Sequence, residues 1–470
     1  MPASDRAQGK LGAASAPGRE FGSSAFLASL ALAGSFAALG LNSISISRIE
    51  GADGAGLIAL STQFVFIATL VAGGGLRTSV TYRVGAGLWS PRSAARGALI
   101  ASLCLGVVGA ALGMGLYELL RDGALSDFNF AMAASLMGAL PFALAWWIVP
   151  AIALARERYE VYALLTVSGP ISVLLICPAL ALAEGKTGAV IGFAAGWVLA
   201  GLIAAAWAVR HSRRPDAMEG PDQSVRQAGG FGVRAWVNDL FQLINVRPDL
   251  FILSAYYGAA NTGVYAVTVS ITSLVWIVSQ PLASVVLPRN AMVAAAAEPG
   301  LAPVIPASKQ GAAVRHAVLV SAVAAVAVIP VLAAAPLIWG PGFGRTLTLG
   351  LILLPGVALL GVGRVMVAAF TGEGAANEAL FVGLVSFPLT FIAFLLVIPD
   401  HGSTGAAIVS CASYVVASSL AAYLFLRAPG HSPRSSLVPR VSDLRDYARL
   451  ARRGLDALRG PARQVDERAP

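Results

Sequence analysis

The chain has 470 residues, a formal net charge of +9, and a composition that is 57% hydrophobic and only 12% charged. Soluble domains carry about 25% charged residues, so a string of two or three soluble domains, the usual content of this length, is excluded in favour of an integral membrane protein. The three cysteines, Cys104, Cys177 and Cys411, sit inside apolar runs without metal-ligand spacing, which reads as packing and not as a disulfide scaffold.

The first 21 residues are polar and lack a compact apolar core with a cleavage site, so they are predicted as a disordered cytoplasmic N-terminus and the first apolar run as a retained span. Candidate spans follow at about 23–47, 54–75, 97–118, 128–153, 160–183 and 188–209, then at 235–256, 261–285, 317–336, 347–370, 378–398 and 404–427. Each is long enough to cross a hydrocarbon core of about 30 Å at 1.5 Å per residue. Prolines lie inside several (Pro141, Pro170, Pro248, Pro281, Pro330, Pro355, Pro388), where membrane helices tolerate a bend if neighbours re-satisfy the freed carbonyls. The longest internal loop, 210–233, divides the chain into an N-terminal six-helix lobe, 22–209, and a C-terminal one, 234–427. The remainder, 428–470, is a basic tail. In it Leu444, Tyr447, Ala451, Leu455 and Leu458 recur at helical spacing opposite Arg445, Arg449, Arg452 and Arg459. Ser442 caps and Gly460–Pro461 stops an amphipathic helix predicted over about 443–459, suited to the anionic inner leaflet.

Orientation follows from the basic residues. Of the 33 lysines and arginines, 27 fall on the side of the two termini, four (Arg48, Arg121, Lys186, Arg345) on the other, and two (Arg247, Arg364) inside spans. Both termini are therefore predicted in the cytoplasm, as befits a multi-pass protein of the bacterial inner membrane. "GADGAGLIAL" (51–60) aligns with "GAANTGVYAV" (258–267), matching Gly51 with Gly258, Ala52 with Ala259, Gly56 with Gly263 and Ala59 with Ala266. Both copies fall on the outer turn between the first two spans of a half. With six spans per half the copies share one orientation, the parallel repeat of transporters that rock two bundles about a central site.

"RPDLFILSAYYGAANTGVYAVTVSITSLVWIVSQPLASVVLPRNA" (247–291) resembles the seventh and eighth helices of Wzx-type polysaccharide-unit flippases of the multidrug/oligosaccharidyl-lipid/polysaccharide exporter superfamily. "SRIEGADGAGLIAL" with "GGGLRTSVTYRVG", and "IWGPGF" (338–343) followed by "VIPDHGSTGAAI" (397–408), agree with the same pattern over residues 22–427. The resemblance implies an all-α polytopic protein, two six-helix lobes around a central cavity. It also implies an undecaprenyl-diphosphate-linked oligosaccharide as the cargo, moved from the inner to the outer leaflet for exopolysaccharide, O-antigen or capsule synthesis.

Ionisable residues within spans are the first site candidates, because a charge at mid-bilayer costs about 3 kcal/mol or more. Arg247 and Asp249, flanking Pro248, are expected near the middle of the seventh span, one facing a wet cavity and the other a neighbouring helix. Asn245 shares a face with Asp249, and Arg364 lies in the tenth span. Guanidinium forks match phosphate oxygens and stay charged at any working pH. Arg77 and Arg83, after the second span, and Arg289, after the eighth, are candidates for a cytoplasmic mouth, although the basic bias alone also places arginines there. The pair Trp146–Trp147 and Trp197, Trp207, Trp236 and Trp276 read as packing or interface anchors before sugar platforms. No Walker-A lysine, G-x-S-x-G elbow or H-E-x-x-H motif is present, and the four histidines share no spacing, so no enzyme activity, cofactor, metal or nucleic-acid role is expected. Expected partners are the lipid-linked cargo, membrane lipids, and a polymerase or glycosyltransferases of the same pathway. Rival readings are a cation-coupled multidrug antiporter, which needs acidic residues in its cavity, and a lipid II flippase.

Overall fold

The computed structural model describes residues 17–73, 75–85, 87–212, 247–295, 307–372, 375–440 and 443. Among them there is helix and no strand, as the hydropathy pattern requires: in lipid every backbone N–H and C=O must be satisfied within its own segment. In chain order the helices are α1 (Pro17–Gly73), α2 (Leu76–Gly85), α3 (Pro91–Leu120), α4 (Phe130–Gly138), α5 (Leu140–Ile148), α6 (Pro150–Ala155), α7 (Tyr159–Ser212), α8 (Pro248–Ala295), α9 (Ala307–Ala333), α10 (Ala335–Ile338), α11 (Thr346–Gly372), α12 (Ala376–Arg427) and α13 (Pro433–Ser436). α1 begins at Pro17, so the last residues of the N-terminal segment expected to be disordered are helical instead. The linker 213–233 and the tail helix beyond Asp443 lie outside the described residues.

Among the described residues, eight stretches are long and apolar enough to cross a membrane. The chain is a multi-pass membrane protein. Four of the eight are double. α1 has 57 residues, about 85 Å at helical rise, nearly three times a hydrocarbon core, and must turn within its length. It breaks at Gly51 (φ 70°), α7 at Glu184–Gly185 (φ 62° at the glycine), α8 at Gly258 (φ 72°) and α12 at Gly402 (φ 55°). A side chain in this left-handed region costs roughly 1–2 kcal/mol, which is why glycine holds the corner. Four of the six turns read from the sequence as short outer loops are thus breaks of one or two residues inside a helix. The twelve candidate spans map onto the eight stretches, the seventh being described only from Arg247 on. The fourth span is instead divided: Pro141 and Pro150 lack an N–H to donate, and α4, α5 and α6 succeed one another there.

α7 shows how a break becomes a hairpin. Gly188, Gly192 and Gly196 form a stripe on its second half, and a Cβ on each would lie 2.0 Å from the Leu180 carbonyl oxygen, 2.7 Å from Cys177 Cα and 2.6 Å from Val173 Cα on the first half. Close antiparallel contact through small residues replaces the hydrophobic drive that lipid does not supply. Cys177 Sγ–H donates to Ala189 O across it at 3.2 Å.

Two compact units emerge from the chain's internal contacts, residues 1–266 with 336–343, and residues 267–335 with 344–470. The first is cored by Leu140, Leu144 and Ile148 of α5 against Ala94 and Ala98 of α3 and Ala204 and Ala208 of α7. Val314 and Ala317 of α9, Val362 and Val365 of α11 and Phe425 of α12 core the second.

Candidate functional site

Within the first unit the two copies of the sequence repeat meet, and they meet reciprocally. A Cβ on Gly56 would lie 1.9 Å from the Ala259 carbonyl oxygen, and one on Gly263 would lie 2.0 Å from the Ala52 carbonyl oxygen. Gly56 pairs with Gly263 and Ala52 with Ala259 in the alignment, so the contact has the two-fold character of the repeat that builds it. Asp127, in the loop after α3, accepts the Ala259 N–H on Oδ2 at 2.7 Å and so ties down the first turn after the Gly258 break. Arg48 of α1 donates from Nε to Ile338 O at 2.8 Å and from Nη2 to Leu337 O. Trp339 Nε1–H donates to Ser43 Oγ at 3.2 Å. These bonds fasten the "IWGPGF" turn, with Gly340 at φ 122°, to the same part of α1.

The Arg-Pro-Asp element is arranged differently from the expectation of a bent helix. α8 starts at Pro248, where the missing proline N–H costs nothing, and Arg247 precedes it outside helical geometry. Asp249 is therefore a first-turn carboxylate, placed where unpaired helix N–H groups favour negative charge. It is buried, 5% exposed, and accepts the Tyr265 Oη–H on Oδ2 at 2.7 Å across the Gly258 corner. Arg247 is half-buried. Asn245 lies outside the described residues, and of Arg289 only the helical backbone within α8 is described.

In each unit an arginine is laid on a tryptophan. In the first, Arg77 enters α2 just after Gly75 (φ 70°) turns the chain. Its Cζ is 4.0 Å from the centroid of Trp147 on α5, and Nη2 reaches Tyr162 Oη on α7 at 3.4 Å. In the second, Arg364 Cζ of α11 is 4.0 Å from the centroid of Trp276 on α8. Gly361, one turn before Arg364, clears the way: a Cβ there would lie 2.7 Å from Ser279 Oγ and from Ser321 Oγ and 3.5 Å from Trp276 Cα. Stacking occupies the face of a guanidinium and leaves its N–H donors along the edge, the edge that forks onto phosphate oxygens. Arg83 is half-buried in the last turn of α2, where its carbonyl accepts from Leu88 and Trp89. The structure thus lays Arg77 and Arg364 on aromatic rings. Trp147 and Trp276 were legible only as anchors. Trp146 and Trp197 do pack, with centroids 4.7 Å apart and Trp146 Nε1–H on Leu165 O at 2.8 Å.

Arg315 is a polar anchor that sequence reasoning counted only as a basic loop residue. It is 7% exposed on α9 and holds Asp443 of the tail from Nε at 2.9 Å and Nη2 at 3.3 Å, with Nη1 on Ser435 O. Those hydrogen bonds hold the Asp443 carboxyl below the usual carboxylate range. The partners are 128 residues apart, and no local pattern announces them.

No family model and no curated protein matches this sequence. Solved structures do. The chain is similar to a lipid II flippase, MurJ, in an inward closed conformation (TM-score 0.65, 12% identity, 93% of each chain covered). An inward-facing multidrug resistance MATE family transporter of the MOP superfamily matches with a TM-score of 0.63 and 17% identity over 82% of this chain and 92% of that one. A MATE multidrug transporter, DinF-BH, in complex with R6G gives 0.58 and 14% over 88% and 96%. At these identities the likeness speaks to architecture alone, and in architecture the chain has the all-helical fold of the MOP transporters.

Proposed function

We propose that this protein translocates lipid-linked oligosaccharide units, carried on a polyprenyl diphosphate, from the cytoplasmic to the outer leaflet by alternating access and without covalent chemistry. The observation that carries the reading is the arginine laid on a tryptophan in each compact unit. Arg364 is a cation kept within an apolar, membrane-length helix, and Arg77 stands on the short polar helix that follows another; such cations suit a cargo whose diphosphate brings negative charge into a low-dielectric layer. The likeness of the fold to that of a lipid II flippase supports a lipid-borne cargo. The Wzx-like motifs favour a polysaccharide unit over lipid II, and both termini are taken as cytoplasmic from the basic bias. A deletion strain tests it: lipid-linked repeat units should accumulate on the inner leaflet and surface polymer should cease. Intact polymer with raised sensitivity to cationic drugs would refute it.

A second reading, a cation-coupled multidrug antiporter, is favoured by the buried Asp249–Tyr265 pair and by the likeness to MATE transporters. On that reading Asp249→Asn abolishes drug efflux, while on the first it leaves drug sensitivity unchanged.

A further inference from the structure

The tail that leaves α12 at Arg427 does not run straight into solvent. It folds back onto α9, where Arg315 grips Asp443 and the Ser435 carbonyl. A Cβ on Gly311 would lie 3.2 Å from Ser436 Oγ, so the tail touches the helix closely. Leu437 packs against the buried cluster of the second unit. A cavity opens beside each of two successive residues there. One, about 320 Å³, is lined by Ser432, Arg434, Ser435, Val438 and Arg440. The other, about 450 Å³, has Leu437 in its wall with Val318, Leu359, Val362, Met366 and Ala422.

The first is basic and hydroxyl-bearing, the second chiefly apolar. Asp443 Oδ2 also accepts the Arg440 N–H at 2.8 Å at the edge of the first, but its charge is matched by the buried Arg315 fork. Arg434 and Arg440 are exposed. They follow the end of a membrane-length helix at Arg427 on a tail segment that folds back against the first turns of α9, which keeps them beside the helix ends. A basic recess there, beside an apolar crevice between membrane helices, has the polarity profile of one amphiphile: an anionic head over a hydrocarbon chain.

We propose that this composite recess binds one anionic phospholipid of the adjoining leaflet. The phosphate sits against Arg434 and Arg440 with the Ser432 and Ser435 hydroxyls. One acyl chain passes Leu437 into the crevice of Val318, Leu359, Val362, Met366 and Ala422. The inference is independent of the cargo proposed above, since it concerns a resident lipid on the second unit.

The test is a thermal melt of the purified full-length chain in uncharged detergent, titrated with phosphatidylglycerol, phosphatidylcholine, or inorganic phosphate. Phosphatidylglycerol should raise Tm, and the other two should not. Each of the two arginines contributes enough that Arg434→Gln/Arg440→Gln should shift the phosphatidylglycerol midpoint by about 30-fold. Arg427→Gln, outside both cavities, should leave the midpoint in place, and Ala422→Phe, which fills the crevice, should weaken it. Equal stabilisation by phosphatidylcholine, the same shift with inorganic phosphate alone, or an unmoved midpoint in the double variant overturns the proposal. Native mass spectrometry of the unaltered chain decides without any substitution: preferential retention of phosphatidylglycerol over phosphatidylcholine at equal concentration supports it, and equal retention overturns it.

Discussion

If the reciprocal contact of the repeat is a closed seal, the smallest possible side chain should open it. At Gly56 an added methyl group meets Ala259 O at 1.9 Å and Ala259 C at 2.7 Å, and at Gly263 it meets Ala52 O at 2.0 Å and Gly56 N at 2.7 Å. The obstacles are backbone atoms, not the ends of flexible side chains, so the helices themselves must part. With carbon–oxygen contacts near 3.3 Å, the separation required is about 1.3 Å. Overpacking of this kind costs about 1–3 kcal/mol, equivalent to a shift of roughly 5- to 150-fold against the state that contains the contact. Thr262 reports it: it is fully buried, and a cysteine there, in a background with Cys104, Cys177 and Cys411 replaced, should resist an impermeant thiol reagent. Adding Gly56→Ala or Gly263→Ala should make the position labelled from outside in intact cells. Gly40→Ala is the control, because a Cβ there meets nothing within 4 Å. Unchanged protection in a normally abundant Gly263→Ala protein, or equal labelling in the Gly40→Ala control, would refute the reasoning.

Other sites give separate outcomes. Arg364→Ala should abolish export at normal protein abundance and Arg364→Lys should recover part of it, since an ammonium keeps the charge without the fork; Trp276→Leu, losing a stacking contribution of about 0.5–2 kcal/mol, should fall between them in an in-cell polymer assay. Tyr265→Phe removes the hydrogen bond to the Asp249 carboxylate, and its Tm should drop by the equivalent of about 1.5–3 kcal/mol, whereas Tyr265→Phe combined with Asp249→Asn should cost less than the sum of the two. Asp443→Asn leaves Arg315 buried without its carboxylate, a loss of about 3–5 kcal/mol. Because Asp443 titrates below its ordinary value, that loss should be full at neutral pH and above the unfolded value near 4. The Tm gap between the wild type and Asp443→Asn should close only as pH falls through the lower folded value.

The membrane class, the span positions and the outer corners were legible because each rests on a strong physical constraint: apolar length for the spans, and glycine where φ is positive for the corners. That Gly51 and Gly258 are equivalent corners could be read from the repeat. That the two copies touch could not, since an alignment states equivalence and says nothing of contact. The division of the fourth span was half-visible in Pro141, which read as a bend in one helix; together with Pro150 it instead marks the separation of three. The Arg315–Asp443 bond left no trace because both residues sit among other charges and nothing local sets them apart.

The Arg-Pro-Asp element shows where periodicity misled and what would have corrected it. An apolar run from 235 to 256 reads as one helix, and two charges in its middle demand a special environment. Yet the residue before a proline is biased away from helical geometry, and proline is favoured at the first helical position. Both point to a helix that begins at Pro248, as it does. The puzzle then changes form. Asp249 sits in the first turn of α8, where backbone N–H groups favour a carboxylate, and Tyr265 supplies a hydroxyl to its Oδ2 at 2.7 Å. Arg247, half-buried just before the helix, still acts on Asp249 through its charge; on the flippase reading the export defect should follow Arg247 and the stability defect Asp249.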